Sequence, residues 1–536
     1  MSFSNDSTFG GKGHSTVTPM GNETPTNNQH VEDAIITPQH VATADPLVSP
    51  KKDSSRHVLT SETWKPSLKI LCTFHVCLNI FICNFYGGGM VPTSVPVAMQ
   101  FHVDLAQISS LFSYPIMAQG LSNIIWVPLM LKIGKRHTVI LNACMLIPCI
   151  VWGGCATSYD SLLAARVLGG FALGASESYG PAIIGDLWYE HDLGTVLGVF
   201  TACIYISPTI GQILVGYITQ GVGWRWGYWL SLIIAVINAI AMILTLPETT
   251  YQRHIVVGVT AGDIQRQHKH KDVRTSTHQE SQYISDVQPF SLMSNLWYFK
   301  HPQVDYNSNY FGNLIRPAIF VIAPNILWSG LLWAAVAGAW VAIGVNIPFL
   351  FAGPPYLFSP GSQGLFSLSS LIGIMIGGLA GGYITDKVND KIEKRRLAAN
   401  QPHKPEERLI MLIVPAILVP VGLAMYGAVM QRRLHWVAGA LAWGINSAGM
   451  AMISLVVVSY AVDAYILRSG ETMVFLNACR CLVTFGILDV MVNWTLTEGP
   501  LVTYGCLAGI SGALFVLAVP IFFFGPWLRS KTDRWL

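Results

Sequence analysis

Three ionised side chains stand in apolar surroundings that disfavour charge. Arg166 and Glu177 lie eleven residues apart in one apolar stretch, which is about three helical turns on roughly one face. Arg480 lies near the middle of another stretch, shortly after Asn477. A charge at the centre of a membrane span costs about 2.5–3.5 kcal/mol on insertion scales unless it is paired or wetted, so such groups mark sites. A carboxyl there can take up and release a proton, or pair with a cation. Two blander readings stand beside these: Glu177 hydrogen-bonded to a neighbouring helix, and Arg166 snorkelling to an interface. Asp489 is nearer the end of its stretch and reads as solvated. Asn84, Tyr86, Tyr179, Tyr205, Gln212, Trp340, Asn346, Asn446, Asn477 and Arg480 are candidate cavity groups. Aromatic rings and amides together suit a pocket that grips flat or apolar molecules with a few orienting contacts. Helix packing is the alternative for each. The run Phe85-Tyr86-Gly87-Gly88-Gly89 lets one end of its stretch flex.

The elements that must carry these groups are twelve apolar stretches, in two sets of six. The first set is 68–90, 107–131, 138–156, 161–186, 195–219 and 227–246. The second is 326–350, 364–385, 409–430, 435–458, 471–494 and 502–525. Each matches the ~30 Å hydrocarbon core of a bilayer. The predicted fold is therefore an all-α membrane protein of twelve transmembrane helices in two pseudo-symmetric halves, 66–246 and 326–527. Residues 1–65 read as a disordered tail, 247–325 as a cytosolic central segment, and 528–536 as a short tail. The composition agrees: 52% of residues are hydrophobic and 11% charged, against about 25% charged in soluble domains.

The remaining features exclude more than they add. A net charge of +3 and the lack of a basic stripe argue against nucleic acid as a partner. The ten cysteines lie in or beside apolar stretches and read as small packing groups. The run His268-Lys269-His270-Lys271-Asp272 reads as a solvated loop, and no metal or cofactor site is expected. The stretch Phe290–Ile315 could lie on the membrane surface. Residues 1–65 lack the pattern of a cleaved signal peptide. Lys132, Lys135, Arg136, the run from Lys387 to Arg408, Arg468, Arg529, Lys531 and Arg534 fall on one side; only Arg225, Arg432 and Arg433 fall on the other. That bias puts both termini in the cytosol. The segments following Asp186 and Asp463 are alike: each Asp ends a stretch and a Gly follows seven or eight residues later. Internal repeats with a site at their interface are the usual build of secondary transporters. No Walker A motif points to ATP, and no HExxH or GxSxG points to an enzyme.

Four pieces, spread over Trp64 to Trp527, resemble the major facilitator superfamily. They are most similar to its fungal twelve-span drug:proton antiporter group, near the yeast histidinol/polyamine permease subgroup. The first is the loop ending Lys132-Ile133-Gly134-Lys135-Arg136, similar to G-x-x-x-D-R-x-G-R-R, with Val127 for the first Gly and Leu131 for the Asp that centres the family's charge lock. The matching loop of the second half keeps an acid, Asp386. The second piece is Arg166 to Gly170, similar to R-x-x-x-G. The third is Ser207-Pro208-Thr209-Ile210-Gly211, similar to the antiporter motif G-P-x-x-G; its proline bends the helix and shapes the seam between halves. The fourth joins Gly223-Trp224-Arg225-Trp226, Leu246-Pro247-Glu248-Thr249 and Arg316-Pro317.

The resemblance implies a monomeric, plasma-membrane transporter that uses protons, with Arg166 and Glu177 in proton coupling, to export small organic molecules by alternating access. Gly134, Lys135, Arg136, Ser207, Pro208, Gly211 and Asp386 would serve the conformational change. Uptake of polyamines or related cations, with Glu177 as partner, is the alternative. A non-transporting nutrient sensor is the reading from another class.

Overall fold

The computed structural model describes residues 66–188, 190–247, 249, 310–399, 405–465 and 468–532. The 1–65 tail, the His268–Asp272 run, most of Phe290–Ile315 and residues 533–536 lie outside the described residues. With no water in the bilayer core, a backbone must satisfy its own polar groups, and helices do so locally. The described residues are accordingly helical, without strands.

The labels α1 to α12 are kept for the helices that run the length of the bundle. The first half holds α1 (Pro66–Gly88), α2 (Ser110–Ile133), α3 (Lys135–Cys155), α4 (Tyr159–Leu187), α5 (Glu190–Val222) and α6 (Arg225–Thr245). The second holds α7 (Pro324–Phe351), α8 (Leu368–Ala399), α9 (Ile413–Gln431), α10 (Trp436–Ala464), α11 (Ser469–Glu498) and α12 (Pro500–Val516). A helix Ala518–Thr532 continues α12 with a 40° bend. Short helices Pro360–Phe366 and Pro405–Leu412 lead into α8 and α9.

Ten helices among the described residues are long and apolar enough to span a membrane, or eleven with the bent pair counted as one. The twelfth expected span is α4. It has the length, 29 residues, but Asp160, Arg166, Glu177 and Asp186 dilute its apolar character. It can carry them because most of its length is covered by protein, not lipid. One boundary moves further than the others: α8 runs to Ala399, past the expected end at 385. The extension is rich in Lys, Arg, Glu, Leu and Ala, which favour a helix in water.

Small residues set the closest approaches, as van der Waals packing drives association in lipid. In the first half, α2 packs on α4: a Cβ at Gly170 would stand 2.3 Å from the Pro115 carbonyl oxygen. In the second half, α8 packs on α10 in the same way, and a Cβ at Gly377 would stand 2.2 Å from the Ala448 carbonyl oxygen. The halves meet along two seams, α2 with α11 and α5 with α8 and its lead-in helix. On the α5–α8 seam the tightest approaches fall toward the end of the bundle away from Pro66, where Gly216 meets Pro360 and Gly364 meets Gln212.

Candidate functional site

Two cavities lie between the halves. The central one, about 100 Å³, is lined by α1, α2, α5, α7, α10 and α11, including Asn84, Phe112, Tyr205, Gln212, Trp340 and Trp443. The second, about 310 Å³, lies toward the end of the bundle that holds Pro66 and Thr532, between α4 and α5 on one side and α10 and α11 on the other. Ile204, Tyr205 and Arg480 line both, so they form the wall between them. Among the described residues, Glu177 is the one acid and Arg480 the one base lining either cavity.

These two charges meet. Nη2 of Arg480 donates to both carboxylate oxygens of Glu177 at 2.7 Å. The side chains are 3% exposed for Glu177 and 15% for Arg480. The pair joins α4 of one half to α11 of the other, across 303 residues of chain. The guanidinium also lies 5.3 Å from the centroid of the Trp333 ring. A charge-assisted bond in such surroundings is stronger than a neutral one, and removing one partner strands the other charge.

Arg166 does not join them. It is 1% exposed, so it does not snorkel. Nε donates to the Leu111 carbonyl at 3.1 Å, Nη1 to that of Tyr86 at 2.5 Å, and Nη2 to that of Gly87 at 2.7 Å. The rings of Tyr86 and Phe112 each lie 5.2 Å from it. The carbonyls belong to the end of α1, where helix geometry leaves acceptors unpaired, and to α2. Arg166 thus clamps α1 to α2.

The expected cavity groups divide by helix face. Asn84, Tyr205, Gln212, Trp340, Asn477 and Arg480 do line a cavity. Trp340 stands edge-on to Tyr205, ring centres 5.9 Å apart, and its Nε1 reaches Ser370 and Ser447 at 2.9 and 3.1 Å. Gln212 accepts a hydrogen bond from Ser367 and donates to the Gly88 carbonyl at 3.2 Å, tying α5 to both α1 and α8.

Tyr86, Tyr179, Asn346 and Asn446 line neither cavity. The Tyr86 hydroxyl donates to the Ala165 carbonyl. The Tyr179 hydroxyl accepts from Asn79 and donates to Asn142. Asn346 donates to Tyr504 at 3.0 Å, toward α12. Asn446 is fully buried beside Gly422 of α9. Its neighbour Ser447, about 100° round the helix, is the one that reaches Trp340. The sequence signal passed over there was the hydroxyl, not the amide; Ser370, Trp333 and Trp443 were passed over too.

The conformational candidates are placed as follows. Gly134 has φ 92° and both ends α2 and starts α3. Lys135 pairs with Asp186 at the end of α4 and donates to the Ala182 carbonyl at 2.9 Å. An acid from α4 thus serves where Leu131 stands in the loop itself. Arg136 donates to the Ile243 carbonyl at 3.1 Å, on α6. Ser207 donates to the Phe81 carbonyl. Pro208 packs on Gly88, the last residue of α1, and Gly211 on Gly89 just beyond it. The motif's tight backbone contact is thus within the first half, while Pro208 and Thr209 line the central cavity between the halves and Gln212 and Gly216 make the direct seam contacts. Asp386 falls in α8, and its side chain lies outside the described residues. Asp489 is exposed.

Comparison with known proteins fits this geometry. The family model described as Major Facilitator Superfamily matches residues 77–488. An MFS-type transporter of Schizosaccharomyces pombe is 24% identical, over 73% of this chain and 74% of its own. An efflux pump of Fusarium oxysporum is 23% identical, over 90% of this chain and 76% of its own. The crystal structure of a peptide transporter, POT, in complex with sulfate superposes with a TM-score of 0.57 at 15% identity, covering 86% of this chain and 95% of that one; this likeness is one of fold. The chain belongs to the Major Facilitator Superfamily. It is a multi-pass membrane transporter of small molecules and not an enzyme.

Proposed function

We propose that this transporter exports small organic molecules in exchange for protons, with Glu177 and Arg480 as the coupling pair. The observation that carries this reading is the ion pair itself, one nitrogen of Arg480 on both oxygens of Glu177, joining the two halves at the second cavity, with Arg480 also lining the central one. Glu177 can be neutralised by a proton; Arg480 cannot lose its own. Protonating Glu177 dissolves the bond between α4 and α11, so one proton changes how the halves hold each other.

With both termini in the cytosol, a reading the Lys and Arg bias supports, the 310 Å³ cavity is the cytosolic vestibule. Cargo enters there while Glu177 is ionised and paired. After the halves rock, the same site faces outward, a proton takes Glu177, and the cargo leaves. Likeness to an efflux pump supports the outward direction. The protein acts as a monomer, since one chain carries both halves and the pair between them, and it works in the plasma membrane, where an exporter of small molecules reaches the medium.

Deleting the gene in its host tests the reading. Small molecules should be retained in the deleted cells and depleted in the medium, and re-expression should reverse this. An unchanged partition of metabolites between cells and medium would sink the export reading.

A further inference from the structure

The two interior arginines differ in how many of their donors are used. Arg166 spends all three nitrogens on backbone carbonyls. Arg480 spends Nη2 alone, on Glu177. Among the described residues its Nε and Nη1 make no hydrogen bond, although Nε is buried. A guanidinium carries five N–H donors, has no acceptor, and stays charged. Three donors of a permanent cation are therefore left over at the wall of both cavities.

The walls around it are aromatic. Trp333 lies against the guanidinium, Tyr205 and Trp340 meet edge to face, and Trp443 lines the central cavity. Trp340 is held by two hydroxyls, from Ser370 on α8 and Ser447 on α10, so its ring is a fixed surface. Rigid rings suit a flat guest. Buried donors without partners suit a guest that brings acceptors.

We propose that the cargo is a flat molecule bearing carbonyl-type oxygen acceptors, which dock on the unused Nε and Nη1 donors of Arg480. This rests on the export reading and names its substrate class. Glu177 then has a second part as a positioning residue. While ionised it holds Arg480 through Nη2 and leaves the other donors facing the cargo. When protonated it lets the guanidinium move, and the acceptor site comes apart. Proton and cargo therefore exclude each other, as exchange requires. An organic ammonium, by contrast, would have to sit beside a charge that never neutralises, and would gain no acceptor from it.

The test is binding, not flux, so its failure is distinct from failure of the export reading. Full-length protein in nanodiscs is dialysed against methyl 2-naphthoate or 2-naphthylmethylammonium, with empty nanodiscs subtracted. The two probes share one ring system and differ in acceptor and charge. At neutral pH the ester should bind tighter by about tenfold or more, the worth of a hydrogen bond to a charged donor. In the Glu177→Gln/Arg480→Gln double variant, which removes both charges together, that preference should vanish. An ammonium probe that binds as tightly as the ester to the wild type overturns the proposal, and this comparison needs no variant to fold. An ester preference that survives in a folded double variant overturns it as well.

Discussion

Helices α4 and α10 occupy corresponding places in the two halves, end alike, and differ in the middle. Each closes on an aspartate that pairs with a base at the start of the α3 or α9 segment: Asp186 with Lys135, and Asp463 with Arg408 at 2.6 Å. Each is crossed closely by its neighbour, α2 or α8. Nine residues before the aspartate, α4 has Glu177 and α10 has Ser454, and both line the same cavity. Twenty before it, α4 has Arg166 and α10 has Trp443. The repeat thus keeps the fastening at the ends, which both halves need in order to move as bodies. At these positions it gives charge to α4, and a hydroxyl and an aromatic ring to α10. The proposed exchange asks for one titratable group against one fixed cation, not a symmetric pair of each.

The largest effect should come from breaking that asymmetry unevenly. Arg480→Ala leaves Glu177 buried without a counter-ion and should lower stability by about 3–5 kcal/mol, whereas Glu177→Gln/Arg480→Gln should recover most of the loss. Chemical unfolding of the purified variants reads both. A single variant as stable as the wild type would mean that the pair is not a buried one.

A smaller effect should come from the shared ends. Lys135→Ala and Arg408→Ala each remove a half-buried pair at a helix end, where water reaches both partners more than it reaches Glu177. They should therefore lower stability little and by similar amounts, while slowing transport by comparable factors. If one slows transport and the other leaves it untouched, the two fastenings are not equivalent and the comparison of halves loses its base.

Much of this was legible in the chain because lipid makes apolar length a strong signal. The two sets of six stretches, the glycine turn at Gly134 and the repeated aspartates all carry local patterns. Glu177, Arg166 and Arg480 stood out for the same reason. Their partners did not. The Glu177–Arg480 pair closes across 303 residues, and Arg166 is satisfied by backbone carbonyls, which have no signature in sequence. Arg166 and Glu177 sit on one helix at a spacing that invites a joint role, yet one clamps α1 to α2 and the other reaches α11. Lys135 likewise finds Asp186, 51 positions away, where the loop lacks an acid. Choosing Asn446 over Ser447 went astray by one residue, since a single step turns a helical side chain to another neighbour. The α4 helix shows the limit from the other side: a span buried in protein need not look apolar.

The central claim is that Glu177, and not its counterpart Ser454, couples the proton to the cargo. The direct measurement is uphill transport in proteoliposomes under an imposed pH gradient, using the compound that deleted host cells retain. Wild type and Ser454→Ala should both accumulate it, with rates within about twofold, as expected for a site outside the titrating pair. Glu177→Gln should lose accumulation and its pH dependence per folded molecule; because it strands the Arg480 charge, the amount of folded protein in the vesicles is measured alongside and the rates are normalised to it. Accumulation by Glu177→Gln at the wild-type level, with the same response to the gradient, would contradict the account.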